Sequence, residues 1–252
     1  MLTQIVWYCA IFLEALLLYR GFKGQTLLKF PLFYSYVSFV LIDELVRFVA
    51  YRSPASYVRV YWATQFLSLF VGCTIIFEIY RVGLKPFPGT GRMARNLLFF
   101  VFAMVFAKAI VNVLDGVSLW SRDSSLLLER NLRIVQSCAL IALVVVFIFY
   151  AIPLTRNLRG ILVGYGLFLG CSIVQLTIMD RFPEKIQAVW FYMQPVSYLI
   201  VLTVWAAALW SYSPEPVIDR PIRLEEDYRA LREATLRRFR RSREALDKAV
   251  RS

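Results

Sequence analysis

Two short runs in this 252-residue chain set charged groups among apolar neighbours, where each needs a physical reason. Glu44, Arg47 and Tyr51 stand at i, i+3 and i+7 with Asp43 adjacent; Lys108, Asn112 and Asp115 follow a similar spacing further on. On a helix each set falls on one face. Single amides, Gln65, Gln136, Gln175 and Gln194, occur in four other apolar stretches. Inside a bilayer a charge costs about 2.5–3.5 kcal/mol at the centre, so such groups pair, line a polar space or reach for the interface. The chemistry on offer is recognition: donors, acceptors and both signs of charge able to hold a small polar molecule. Glu44 and Lys108 are expected to form an ion pair, because either charge alone would be costly.

Bond-making chemistry finds little support. The chain has no histidine, which excludes histidine-ligated haem or zinc, a histidine base and a phosphorelay. Cys9, Cys73, Cys138 and Cys171 sit singly in different apolar segments and read as small hydrophobes, without disulfide or metal. The run Lys85-Pro86-Phe87-Pro88-Gly89-Thr90-Gly91-Arg92 lacks a phosphate-loop spacing and is expected to be a loop. No cofactor, no metal and no enzymatic activity are expected.

The elements that must position these groups are membrane helices. Hydrophobic residues make up 59% of the chain and charged residues 18%, against about 45–50% and 25% in soluble domains. Seven segments are apolar over about 20 residues, the length a span needs: Leu2–Tyr19, Pro31–Tyr51, Val58–Tyr80, Asn96–Leu114, Leu132–Ile152, Leu158–Met179 and Ala188–Tyr212. The expected fold is therefore all-α, a polytopic seven-transmembrane-helix bundle over residues 1–212, followed by a basic helical tail over residues 213–252. Eleven of the 29 Lys and Arg residues lie in that tail, while the remaining connections are nearly balanced. The positive-inside rule then puts the C-terminus in the cytoplasm and, with seven spans, the N-terminus outside. A multi-pass protein of the cell (inner) membrane is expected.

With that orientation, Glu44, Arg47, Gln65, Lys108, Asn112, Gln136, Gln175 and Gln194 all fall roughly 8–11 Å below the outer surface, at about 1.5 Å per residue. Six of the seven helices would then converge on one outward-facing polar layer, the candidate ligand site. Ordinary snorkelling and interhelical amide bonding would give the same pattern without a ligand. At the inner end, Glu14, Glu78 and Arg81 are expected to make local salt bridges. Gly160, Gly164, Gly166 and Gly170 give two overlapping small-xxx-small spacings for close helix packing, and Pro195 is expected to kink the last span.

The tail reads as one helix capped by Asp219, with Glu225, Glu226 and Asp227 at its positive end. Its cluster Arg237, Arg238, Arg240, Arg241 and Arg243 suits anionic lipid, and its partial apolar stripe suits a protein partner or a second copy of the chain. Nucleic acid is not expected under a membrane.

Known seven-span families are excluded by missing residues. The last span has no retinal-binding lysine, the proline-glutamine motif of PQ-loop carriers is absent, and progestin-receptor-like hydrolases need histidines. The stretches Phe77-Glu78-Ile79-Tyr80-Arg81 and Thr155-Arg156-Asn157-Leu158-Arg159-Gly160 through Gly170 resemble those of bacterial seven-span proteins with no assigned activity. That resemblance covers most of the span layout and implies a fold alone. Two function classes follow from the polar layer: a receptor-like sensor that binds a small ligand and signals through a partner, or a small-solute or proton-coupled transporter. A non-catalytic accessory subunit is the third reading.

Overall fold

A computed structural model describes residues 2–50, 54–114, 122–181, 183–214 and 224–251. These residues form nine helices and no strand: α1 (Leu2–Lys23), α2 (Thr26–Lys29), α3 (Pro31–Ala50), α4 (Pro54–Gly83), α5 (Pro88–Leu114), α6 (Arg122–Phe149), α7 (Arg156–Arg181), α8 (Pro183–Leu209) and α9 (Leu224–Arg251). Four helices open on proline, Pro31, Pro54, Pro88 and Pro183. The ring fixes φ near the helical value there, and its missing N–H would have had no intrahelical partner.

Four segments of the described residues are long and apolar enough to cross a membrane: Ile5–Lys23, Pro88–Lys108, Glu129–Phe149 and Arg156–Met179. The shorter apolar stretch Met193–Leu209 belongs to α8. In α3, Asp43, Glu44 and Arg47 fall among only twenty residues. Each expected span corresponds to one long helix, but two helices begin well before their apolar stretch. One is α6, which starts at Arg122 instead of Leu132. The other is α5, which starts at Pro88, so Pro88 to Arg92 is helical where a loop was expected. The reason is tertiary: the Glu225 carboxylate accepts hydrogen bonds from the Gly89 and Thr90 backbone N–H groups at 3.2 and 3.4 Å. A side chain 135 residues away thus does the work of an N-cap.

Six helices close into a ring, with α1 on α3 and α8, α3 on α4, α4 on α6 and α7, α6 on α7, and α7 on α8. Outside that ring, α5 leans on α4 and α6 and holds α9. Buried apolar residues from every helix of the ring fill the centre, among them Leu17, Phe33, Ile76, Leu143, Ile161 and Trp205. Trp205 anchors this core: the Phe33 ring meets it edge-on at 5.0 Å, and its indole faces the Ile161 carbonyl at 3.4 Å. That approach is open because Gly160 lies against Ala208 and Gly164 against the Trp205 indole, where a β-carbon would overlap both. Only this first glycine spacing serves α8; Gly166 faces Leu140 of α6, and Gly170 has nothing within 4 Å.

The tail-side end is tied by polar caps. Thr155 Oγ1 accepts from Leu158 N at 3.1 Å and opens α7. Fully buried Asn157 closes α8, donating to the Ala208 and Ser211 carbonyls at 2.9 Å each and accepting from Ser213 N at 2.6 Å. Around the same end, Arg20 stacks on Trp210 at 4.0 Å and Lys29 lies 5.0 Å from the Tyr212 ring. Buried Leu224 and the 3.1 Å bond from the Tyr150 hydroxyl to Asp227 seat the first turn of α9. Asp219, the expected cap of the tail helix, lies outside the described residues, as do Tyr51 and Asp115.

Candidate functional site

The polar groups do not gather in a single shallow layer. They meet around Tyr36, a buried ring on α3 that packs edge-on against Trp205 at 6.3 Å. Tyr36 lies within electrostatic reach of Glu14 on α1 and of Arg133 and Glu129 on α6. The Tyr198 hydroxyl, from α8, donates to Glu14 Oε1 at 2.7 Å. Glu44 shares this neighbourhood, close enough to Glu14 and Asp43 for their charges to interact, with the Trp7 indole as its hydrogen-bond donor. Two carboxylates from adjacent helices therefore face the same interior.

On the other flank stands Arg133. Its guanidinium is 5% exposed, pairs with Glu129 at 3.4 Å and sits 4.5 Å from the Phe168 ring. Beside it the Tyr165 hydroxyl donates to the Gly72 carbonyl at 2.7 Å, and Gln136 Nε2 reaches Cys73 Sγ at 3.3 Å. A β-carbon at Gly72 would stand in ordinary contact with Tyr165, Gln136 and Arg133, at 3.5–3.8 Å, so the absent side chain leaves all three a common wall.

Five buried polar atoms of this interior have no hydrogen-bond partner among the described residues: Glu14 Oε2, Glu44 Oε2, Arg133 Nε and Nη1, and Gln136 Oε1. Buried polar groups are almost always satisfied, and an unmet one costs about 1–3 kcal/mol. Two guanidinium nitrogens and an amide oxygen thus stand on one flank, and two carboxylate oxygens on the other.

The residues singled out in the sequence distribute unevenly. Glu44 and Gln136 belong to this interior. Arg47 is engaged elsewhere, bidentate to Asp43 at 2.9 and 2.7 Å and bonded to Thr64 on α4 at 3.0 and 3.2 Å. Gln175 donates to Ser197 at 3.0 Å and joins α7 to α8, while the Gln194 side chain is exposed and only its backbone carbonyl accepts from the same Ser197. The ion pair expected between Glu44 and Lys108 is not formed. Lys108 is exposed on α5, which packs on α4, α6 and α9, whereas α3 packs on α1, α2 and α4 and not on α5. The side chains of Gln65 and Asn112 lie outside the described residues.

At the tail-side end, Glu78 is fully buried, paired with Arg81 and bonded by Phe33 N at 2.8 Å, so it also caps α3. Glu14 is not part of that arrangement. From the tail-side helix ends, Glu14, Tyr165 and Tyr198 lie roughly 13–17 Å deep at about 1.5 Å per residue. The polar interior thus reaches the middle of the bundle rather than stopping below one face.

Arg133 was the residue a linear reading missed, because it stands second in the span Leu132–Ile152 and counts as a charge at a span end. Its signal was periodicity: Leu132, Gln136, Leu140, Leu143 and Phe147 are all buried on α6 and share its face. Tyr36, Tyr165 and Tyr198 gave no comparable signal among the many aromatics of the chain. No group of histidine, cysteine, aspartate or glutamate side chains able to hold a metal occurs among the described residues. No protein-family model, no curated protein and no solved structure matches the chain.

Proposed function

We propose that the chain is a receptor-like seven-span membrane protein, N-terminus out and C-terminus in, that binds a small zwitterionic molecule among the polar groups around Tyr36. The observation that carries this reading is the set of five buried atoms on Glu14, Glu44, Arg133 and Gln136 that have no partner among the described residues. Arg133 would take the ligand's acidic group and Glu14 or Glu44 its basic one. A ligand drawing α1, α3 and α6 together would move the ring against α5 and shift the tail-side end of α6, the two places where the first turn of α9 is seated through Glu225 and Asp227. The helical tail then serves as the output surface for a protein partner, or lies on anionic lipid through Arg237, Arg238, Arg240, Arg241 and Arg243.

The test is ligand-dependent thermal stabilisation of the full chain in nanodiscs, screened against amino-acid-sized zwitterions. A true ligand stabilises the wild type, and Arg133→Gln weakens its binding by about 30-fold or more, the loss of a charged contact. If no such molecule stabilises the wild type, or both forms respond equally, the reading is wrong. Glu225→Ala removes the remote cap of α5; faster amide exchange over 88–92 and 224–232, with ligand affinity retained, is the expected result.

One observation favours transport as the second reading: Glu14 and Tyr198 extend the polar interior to mid-depth. Transport predicts uptake of the same ligand into proteoliposomes and its loss in Glu14→Gln, whereas a sensor shows binding without uptake.

A further inference from the structure

Between the first turns of α5 and α9 runs a groove of about 720 Å³. Three arginines line it, Arg92 from α5 and Arg229 and Arg232 from α9, against one carboxylate, Glu225. That carboxylate is already spent on the Gly89 and Thr90 amides, and Arg229 stays 3.9 Å from it with its side chain 74% exposed. Arg92 and Arg232 have no ion pair among the described residues. The neighbouring rim differs. There Arg20 lies on Trp210, Lys29 on Tyr212, Arg81 against Glu78, and Arg156 donates to Ser211 Oγ at 2.6 Å. Among the described residues Arg159, Arg238 and Arg240 also lack an ion pair, so what marks the groove is three guanidinium groups around one committed carboxylate.

The second feature is apolar. Met93 and Leu97 line the groove and begin a stripe that continues through Phe100 and Met104, at i, i+4, i+7 and i+11 on α5. Each is at least half exposed, at 50, 58, 62 and 58%. The stripe climbs the segment Pro88–Lys108, which is long and apolar enough to cross a membrane. A soluble anion would use the arginines and leave the stripe without a role. An anionic phospholipid uses both, its phosphate on the guanidinium forks and an acyl chain along the stripe.

We propose that this groove is a specific site for one anionic phospholipid, which bridges α5 to α9 at the membrane surface. The lipid fastens the tail helix to the bundle at a point where protein contacts alone leave positive charge uncompensated. It does not depend on the zwitterion site, and Arg133→Gln is expected to keep it.

The full chain, purified in a neutral detergent, is titrated with phosphatidylglycerol and with phosphatidylcholine and read by native mass spectrometry. The wild type is expected to retain one phosphatidylglycerol through activation that strips phosphatidylcholine. Arg92→Gln and the pair Arg229→Gln/Arg232→Gln weaken that binding by roughly five-fold per arginine removed. Lys23→Gln/Arg159→Gln removes as much charge as the α9 pair, from exposed positions at the tail-side end outside the groove, and stays within about twofold of wild type. These side chains are exposed, and the wild-type comparison of the two lipids stands even if a variant is poorly folded. Equal retention of both lipids, equal loss in the Lys23→Gln/Arg159→Gln variant, or displacement by millimolar glycerol phosphate would each overturn the proposal.

Discussion

Replacing Gly164 with leucine is expected to unfold the bundle at markedly lower temperature than replacing Gly170, although both glycines lie on the same helix. At Gly164 the added side chain enters the space of the Trp205 indole, which is fully buried and packed edge-on by Phe33. Neither the rigid ring nor the α7 backbone can yield without parting α7 from α8. Overpacking of this kind costs about 1–3 kcal/mol, and rigid neighbours push it to the upper end. At Gly170 nothing stands within 4 Å, so leucine there changes stability by no more than about 0.5 kcal/mol. Thermal unfolding of the two variants, followed by fluorescence-detected size exclusion, separates them. Equal behaviour would mean that the glycines act through helix propensity rather than through the contact with α8.

Glu78→Ala is the second large effect. Its carboxylate is fully buried, accepts from Phe33 N at the first turn of α3 and pairs with Arg81. Alanine leaves that amide without a partner and takes the counter-charge from Arg81, a loss of about 2–3 kcal/mol for a hydrogen bond to a charged group. For a chain of this size that corresponds to roughly 5–10 °C in melting temperature. Arg81→Ala should cost less, because the arginine is 43% exposed and the Glu78 carboxylate keeps its bond from Phe33 N. The amides of Leu32 and Phe33 are expected to exchange faster in Glu78→Ala and to change little in Arg81→Ala. The reverse order would place Glu78 in an ordinary surface pair.

The two glycine spacings illustrate how far a linear pattern reaches. Four small residues at helical intervals announce close packing, and the chain uses one pair, Gly160 and Gly164, for α8. Which pair meets which helix depends on the rotation of α7 in the ring, and no local preference sets that. Glu44 and Lys108 make the same point for charge. Matched depth along two helices says nothing about azimuth, and α3 and α5 turn out to lie on different sides of α4. Conversely, Arg133 stands at the very start of the apolar run, yet its helix begins three turns earlier, at Arg122, and carries the guanidinium inward.

Composition and hydropathy by themselves determined an all-helical chain with apolar helices suited to a membrane, a basic helical tail and an interior without histidine chemistry. These follow from quantities summed over a segment, to which position around the helix contributes nothing. Only the tertiary structure decided that Glu14 meets Tyr198, that Arg133 and Glu14 flank Tyr36, and that Glu225 caps a helix from the far end of the chain. Each of those depends on helix rotation and partner choice, set by how the whole ring packs around Trp205 and the glycines facing it.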